Sequence, residues 1–82
     1  MKIKNNVAIS ESGFVFDSNT GDSFSLNPTG IDITNLMKKE ASMEEIKNFL
    51  FNKYEIDEQE VEKEILDFFN LLKQYQLIEE DE

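Results

Sequence analysis

The feature that most constrains the fold is the change of pattern across residues 22–30, whose sequence is DSFSLNPTG. Phe24 and Leu26 alternate with serines, which is the two-residue period of a strand with one buried face. Asn27 is a favoured helix N-cap, and Pro28 suits a first helical position because its φ is already helical and its missing N–H needs no partner there. The sequence therefore predicts a strand that leads directly into a helix.

The residues before this junction predict two further strands. Residues 3–10 form the first, with Val7 and Ile9 on one face, and residues 13–17 (GFVFD) form the second. Short segments rich in Asp, Asn, Ser and Gly separate the strands, and they contain too few residues for a parallel crossover. We therefore expect an antiparallel meander of three strands, with no helix in about the first 25 residues.

The residues after Pro28 follow the helical period. Ser42 and Asp57 each precede a Glu by three residues, which is the spacing of a capping box and predicts the starts of a second and a third helix. The apolar stripes of the three helices are Ile33, Leu36 and Met37; Met43, Ile46, Phe49 and Leu50; and Val61, Ile65, Phe68, Leu72 and Tyr75. Leu77 and Ile78 are expected to fold back onto the core.

Composition limits the functions open to this chain. Its 82 residues suffice for one small domain, expected to comprise residues 1–78, followed by an acidic tail at residues 79–82. The absence of Cys and His excludes thiolate chemistry, histidine-dependent catalytic triads and the common zinc sites. Residues 17–22 are loosely similar to a calcium loop, but Asp22 stands where that loop needs glycine. We expect no enzyme activity, no metal and no cofactor.

The net charge of −10 limits the partners. Eighteen acidic residues oppose eight Lys, and Arg is absent, so phosphate backbones are repelled and nucleic acid is not an expected partner. No apolar run resembles a signal peptide or a membrane span, so we expect a cytoplasmic protein without a membrane partner. Two interpretations of the acidity stay open, namely solubility and attraction for a basic or Lys-containing partner.

Aromatic and apolar residues exceed what one helix face needs. The chain has seven Phe, and core packing is expected to account for most of them: Phe14, Phe16, Phe24, Phe49, Phe51, Phe68 and Phe69. Leu66 and Phe69, however, sit roughly 60–140° around the third helix from its apolar stripe. Either the meander covers these two side chains, or they leave an apolar groove for a partner.

The order of strands and helices, together with several short motifs, resembles the PqqD family of small peptide chaperones in pyrroloquinoline quinone biosynthesis. The resemblance extends over about residues 7–78. Its motifs are FSLNPTG at residues 24–30 with Ile33, Leu36 and Met37, SMEEI at residues 42–46, and the closing Leu77 and Ile78. Thr34 stands where many members carry Trp, and Lys39-Glu40 stands where Asp-Gly commonly ends the first helix.

The resemblance implies a winged-helix-like α+β domain with a three-stranded antiparallel sheet followed by three helices. Such domains bind the leader segment of a ribosomally synthesised precursor peptide and present it to a modifying enzyme, often a radical SAM protein. The leader adds a strand to the sheet edge beside the third helix. In this chain the implied peptide-binding residues are Asp22, Ser23, Phe24, Ser25 and Leu26 on the strand and Leu66, Phe69 and Lys73 on the third helix.

Two other functions are compatible with the same architecture. A winged-helix module that binds DNA is one, although the acidic third helix disfavours it. A structural subunit docked permanently on a larger enzyme is the other. Binding to duplex DNA at low salt distinguishes the first of these from a peptide chaperone, and stoichiometric co-purification with an enzyme in the absence of any peptide identifies the second.

Overall fold

The computed structural model of the protein describes residues 2–79, so that Met1 and residues 80–82 of the expected acidic tail lie outside the described residues. The elements in chain order are β1 (Lys2–Ile3), β2 (Val7–Ile9), β3 (Phe14–Asp17), β4 (Ser23–Ser25), α1 (Pro28–Lys38), α2 (Met43–Tyr54), α3 (Glu58–Gln74) and β5 (Ile78–Glu79). The predicted α+β class, with a three-stranded antiparallel sheet followed by three helices, is confirmed. None of the helices within residues 2–79 combines the length and the apolarity that a membrane crossing requires.

The main sheet has the strand order β2-β3-β4, so β3 is central and antiparallel to both neighbours. Successive side chains of a strand point to opposite faces. Val7, Ile9 and Val15 accordingly share the inner face and are buried in the core. The predicted pairing of Val7 and Ile9 on one face is therefore confirmed.

The expectation that most Phe side chains lie in the core is wrong. All seven belong to the described part of the chain, and Phe68 alone is buried. Phe14 and Phe16 occupy the outer face of β3 and are 50% and 42% exposed, because Val15 takes the inward position between them. The exposed large apolar side chains are Phe14, Phe16, Met43, Phe49, Phe51, Leu66 and Tyr75.

A second small sheet joins the two ends of the described chain, and the sequence patterns did not predict it. The expected strand over residues 3–10 is interrupted by a turn in which Val7 N donates to Lys4 O at 3.0 Å. β1 before this turn pairs with β5, with Ile3 opposite Ile78. A two-residue strand is too short to show a period. The predicted return of Leu77 and Ile78 to the core is confirmed, since both are buried.

Each helix begins at the predicted cap. The Asn27 side chain accepts a hydrogen bond from Gly30 N at 2.7 Å. Ser42 and Glu45 form both bonds of a capping box, and Asp57 accepts from Glu60 N at 2.8 Å. These side chains satisfy amides that a helix start otherwise leaves without a partner.

The core lies between the inner sheet face and the three helices. Its most buried members from the helices include Ile33, Leu50, Val61 and Leu72. Three predicted stripe residues are instead exposed, namely Met43, Phe49 and Tyr75. The contact face of α2 is therefore narrower than the apolar stripe in its sequence, and Tyr75 lies just beyond the last residue of α3.

Thr34 generates a stability prediction. Its side chain is buried on α1, and its hydroxyl has no hydrogen-bond partner among residues 2–79. Thr34→Val keeps the branched shape and removes the unsatisfied oxygen, so the free energy of unfolding should rise by about 1 kcal/mol in urea denaturation. Thr29→Val is the matched control on the same helix, because Thr29 is only partly buried and its hydroxyl is not a buried atom without a partner, so its removal should not stabilise the fold. Equal effects of the two substitutions would contradict the prediction.

Asp17 generates a prediction for acid pH. Its Oδ1 accepts from Asn6 Nδ2 at 2.8 Å and from Asn19 N at 2.9 Å. These bonds, that from Asn6 first, hold the pKa of Asp17 below its ordinary value of 3.8. A pKa that is lower in the folded state contributes stability above the unfolded pKa, and this contribution is lost as pH falls through the folded pKa.

Asp17→Asn keeps the acceptor oxygen and removes the charge, so it should be less stable than the wild type at pH 7. The difference should stay constant down to about pH 5 and shrink below about pH 4. The chain has no His, so no side chain with an ordinary pKa near neutrality adds a second transition. Denaturant unfolding at a series of pH values measures this difference, and a difference that persisted through the acid range would contradict the argument.

Candidate functional site

β4 is an edge strand whose outer backbone groups are open to a further strand. Two backbone hydrogen bonds lie at the ends of the pairing between β4 and β3. Leu26 N donates to Gly13 O at 2.8 Å, and Asp17 N donates to Asp22 O at 2.9 Å. Bonded pairs alternate along an antiparallel ladder, so Phe24 directs its N–H and C=O to β3. Ser23 and Ser25 therefore direct theirs away from the sheet. Their small uncharged side chains do not protect this edge as Lys or Pro would.

The opposite edge of the sheet, formed by β2, is partly occupied. By the same alternation, Val7 and Ile9 direct their backbone groups outward from β2. Val7 N, however, donates to Lys4 O at 3.0 Å, and the Lys38 ammonium group donates to Ile9 O. The more accessible edge for strand addition is therefore that of β4.

A groove of about 270 Å³ lies beside this open edge, between β4 and α3. Its lining residues are Phe24, Ser25, Leu26, Asn27, Thr29 and Gly30 on one side and Glu64, Asp67, Phe68 and Leu71 of α3 on the other. This space accommodates a few side chains of an extended segment.

The close approach of α1 to α3 forms the floor of the groove. A β-carbon placed on Gly30 would lie 2.9 Å from Cε1 of Phe68 and 3.1 Å from Oδ1 of Asn27. Glycine is thus required where the first turn of α1 meets the Phe68 ring. The N-cap, the strand edge and α3 are held together at this contact.

Aromatic contacts continue from the groove along the sheet. The ring of Phe24 packs on that of Tyr75, with centroids 5.2 Å apart. Phe68 in turn contacts Phe69, with centroids 6.1 Å apart. These contacts restrain Phe24 and Phe68, which both line the groove, and they explain why exposed Tyr75 remains close to the sheet.

Two carboxylates lie on the α3 side of the groove. Asp67 forms an ion pair with Lys63 at 3.1 Å, one helical turn away, and this hydrogen bond and charge raise the pKa of Lys63. Glu64 also lines the groove and is partly buried, whereas Asp67 is exposed. The charge facing a bound segment is therefore negative.

A separate cluster of titratable groups braces α1 against α2. Lys53 Nζ lies 3.0 Å from both carboxylate oxygens of Asp32, and the Tyr54 hydroxyl donates to the same carboxylate. Burial is the largest cause that raises the pKa of Tyr54, and the hydrogen bond to Asp32 adds to it. None of the three residues lines the groove. Because the three side chains bond to one another, we interpret the cluster as a structural contact between α1 and α2 and not as a reactive site.

The structure brings together part of the predicted site. Phe24, Ser25 and Leu26 line the groove, and Ser23 lies on the open edge. Asp22 precedes β4, in the turn, where its N–H donates to the Thr20 hydroxyl at 3.1 Å. The predicted site residues of the strand region therefore lie in the groove or directly beside it.

The predicted residues of α3 lie elsewhere on the helix. Leu66 is 61% exposed and is not covered by the meander, whereas Phe69 is partly buried against the core. Lys73 lines a shallow depression with Gln76 and Glu79. None of these three residues lines the groove beside β4.

Sequence reasoning missed the residues of α3 that line the groove, which are Glu64, Asp67, Phe68 and Leu71. Asp67, Phe68 and Leu71 follow Glu64 by three, four and seven residues, which places all four side chains on one helix face. This spacing can be recognised in the sequence. The side of α3 that meets the sheet edge depends on tertiary packing, and Phe68 was assigned to the core alone.

A second concavity, of about 650 Å³, lies at the start of α2 and α3. It is lined by Met43, Glu44, Lys47, Asn48, Phe51, Glu58 and Val61. Its charges are of both signs, and no strand edge runs beside it. Among residues 2–79 no cluster of three or more acidic side chains is arranged to hold a metal ion. The groove at β4 is therefore the better candidate for binding a peptide.

Two solved structures resemble this fold over nearly its whole length. TbiB1 in complex with the TbiA(beta) leader peptide matches with a TM-score of 0.85 and 27% identity, covering 100% of this chain and 99% of TbiB1. Lasso peptide synthetase B1 complexed with the leader peptide matches with a TM-score of 0.83 and 19% identity, covering 93% of both chains. Among curated protein sequences, none matches this chain.

The family model described as coenzyme PQQ synthesis protein D (PqqD) matches residues 13–78. The match begins at the turn before β3 and ends in β5, so it includes the open edge, the groove and all three helices. The motifs of the N-capped junction and of the α2 capping box lie inside it. The chain therefore belongs to the PqqD family.

Proposed function

We propose that this protein binds the leader segment of a ribosomally synthesised precursor peptide as a strand added to β4. The observation that carries this proposal is the open edge of β4 next to an apolar groove. Main-chain hydrogen bonds from Ser23 and Ser25 supply affinity, and the groove receives alternate side chains of the added strand. The structural similarity to TbiB1, which is in complex with a leader peptide, supports a leader peptide as the guest here.

The protein then presents the peptide to a modifying enzyme, for which a radical SAM protein is the partner class that the PqqD family suggests. Its own role is binding and not catalysis, since the only titratable groups among the described residues that line the groove are two carboxylates, one of them paired with Lys63. Precursor peptides are made on ribosomes, which supports a cytoplasmic location. The affinity for a leader, and the register in which that leader pairs with β4, then determine which precursor reaches the enzyme.

DNA binding by the winged-helix-like architecture is disfavoured by charge. A DNA-binding module needs a basic patch on the element that enters the groove of the duplex. The first turn of α3 carries Glu58 and Glu60, and the chain has a net charge of −10. Duplex DNA should accordingly show no binding at low salt, where phosphate contacts are strongest.

Ser25→Pro tests the added strand. Ser25 directs its N–H to the open edge, so proline removes a donor for the guest while the bonds of Phe24 to β3 are retained. Calorimetric titration with a synthetic leader, taken from a short precursor encoded beside this chain's gene, should show affinity reduced by about 1–2 kcal/mol. The free energy of unfolding should change by less than this amount.

Ser25→Ala is the control for this test. It removes the hydroxyl and keeps the backbone N–H, so it should bind the leader nearly as well as the wild type. If Ser25→Pro also bound normally while both variants remained folded, the guest strand would have to pair elsewhere.

Leu71→Ala tests the groove, with Leu66→Ala as its matched control on the same helix. Leu71 lines the groove, whereas Leu66 is exposed and lies outside it. The Leu71 truncation should weaken leader binding by about 1–2 kcal/mol, and the Leu66 truncation should leave it within experimental error. The peptide-binding roles predicted from the sequence for Leu66 and Phe69 give the opposite ranking, so the same titrations distinguish the two sides of α3.

A further inference from the structure

The side chains that line the groove carry a net negative charge. It contains the carboxylates of Glu64 and Asp67 and no basic side chain. Asp67 has Lys63 as a partner, in a pair whose side chains are both more than half exposed. Glu64 is more buried than Asp67, and no residue of the described range 2–79 forms a hydrogen bond or a close ion pair with it. Lys63 attracts Glu64 only from a distance, because its ammonium group is bonded to Asp67.

The start of α1 also lines the groove, and a helix N-terminus would favour an anion. Its amides are largely satisfied, however. Gly30 N donates to the Asn27 side chain at 2.7 Å, Ile31 N donates to Asn27 O at 3.0 Å, and Pro28 has no N–H. The helix end contributes a partial positive charge, whereas Glu64 and Asp67 contribute full negative charges. The net charge of the groove lining is therefore negative.

A bound segment changes the environment of Glu64. When a strand fills the groove, the partly buried carboxylate loses water and needs a donor from the guest. The rest of the chain, with its net charge of −10, adds a negative potential that favours a cationic donor over a neutral one. The chemistry that complements this wall is therefore an ammonium or guanidinium group.

We infer that Glu64 selects leader segments that carry a Lys or Arg side chain in the groove, next to an apolar side chain that packs on Phe68 and Leu71. This inference rests on the proposed strand addition to β4. Groove-facing side chains of an added strand alternate with outward ones. The basic and the apolar residue are thus separated by an even number of positions in the guest.

Selection from a displayed library of random ten-residue peptides tests the inference without knowledge of the natural precursor. The wild type should enrich peptides with an apolar residue and a Lys or Arg at that even spacing. Glu64→Lys should enrich Asp or Glu at the same position and retain the apolar residue. Glu62→Lys makes the same charge change at an exposed position of α3 outside the groove and should retain the preference for Lys or Arg.

Glu64→Gln provides a second measurement that does not depend on reversed charge. For an enriched Lys-containing peptide its dissociation constant should rise roughly three- to tenfold, and replacing that Lys by norleucine should produce the same loss in the wild type. In the Glu64→Gln protein the Lys and norleucine peptides should bind alike. Circular dichroism and thermal unfolding establish that each variant is folded before it is used.

The outcomes separate this inference from the proposed function. If peptides are enriched and Ser25→Pro abolishes their capture, yet Glu64→Lys and Glu62→Lys give the same residue preferences, the selection by Glu64 is wrong and strand addition stands. If no peptide is enriched whose capture depends on the Ser25 N–H, the proposed function fails and the inference fails with it. A reversal of the preferred charge in Glu64→Lys alone supports both.

Discussion

The contact between Gly30 and Phe68 is the constraint on which the site depends. Because Gly30 has no side chain, the first turn of α1 approaches the Phe68 ring closely enough that a β-carbon would lie 2.9 Å from it. The ring is buried on one side by the core and lines the groove on the other. A larger residue at position 30 would move α3 away from β4. The open edge of β4 and the groove-lining residues of α3 could then no longer contact the same guest peptide.

The strand-to-helix junction is the part of the fold that local sequence determines most completely. Alternation around Phe24, the Asn27 cap and Pro28 all act within a few residues, and each is reproduced by the structure. The caps at Ser42 and Asp57 are equally local, which is why the three helices begin where their sequences predict. The open edge of β4 follows from the same information, since a meander leaves its last strand unpaired on one side.

Most features that depend on the packing of distant elements were not predicted. Phe14 and Phe16 have the hydrophobicity of core residues, but strand alternation allows either them or Val15 to face inward, and the packing of the helices decides. The same holds for α3, whose apolar surface includes both Leu66 and Leu71. Only the position of the helix beside β4 shows that Leu71 lines the groove. The pairing of β1 with β5 joins distant residues through strands too short to carry a pattern.

An open strand edge is a hazard for a small protein, because a second copy can pair with it as readily as a guest peptide. β4 lacks the Lys, Pro or bulge that commonly prevents such pairing, so protection has to come from elsewhere. The net charge of −10 opposes such pairing because copies of the chain repel one another, and Glu64 and Asp67 place part of that charge in the groove itself. The proposed selection by Glu64 relies on the same charge to attract a basic segment. The two interpretations left open by composition are therefore compatible, because one negative charge can both discourage self-association and, under this proposal, favour a guest of opposite sign.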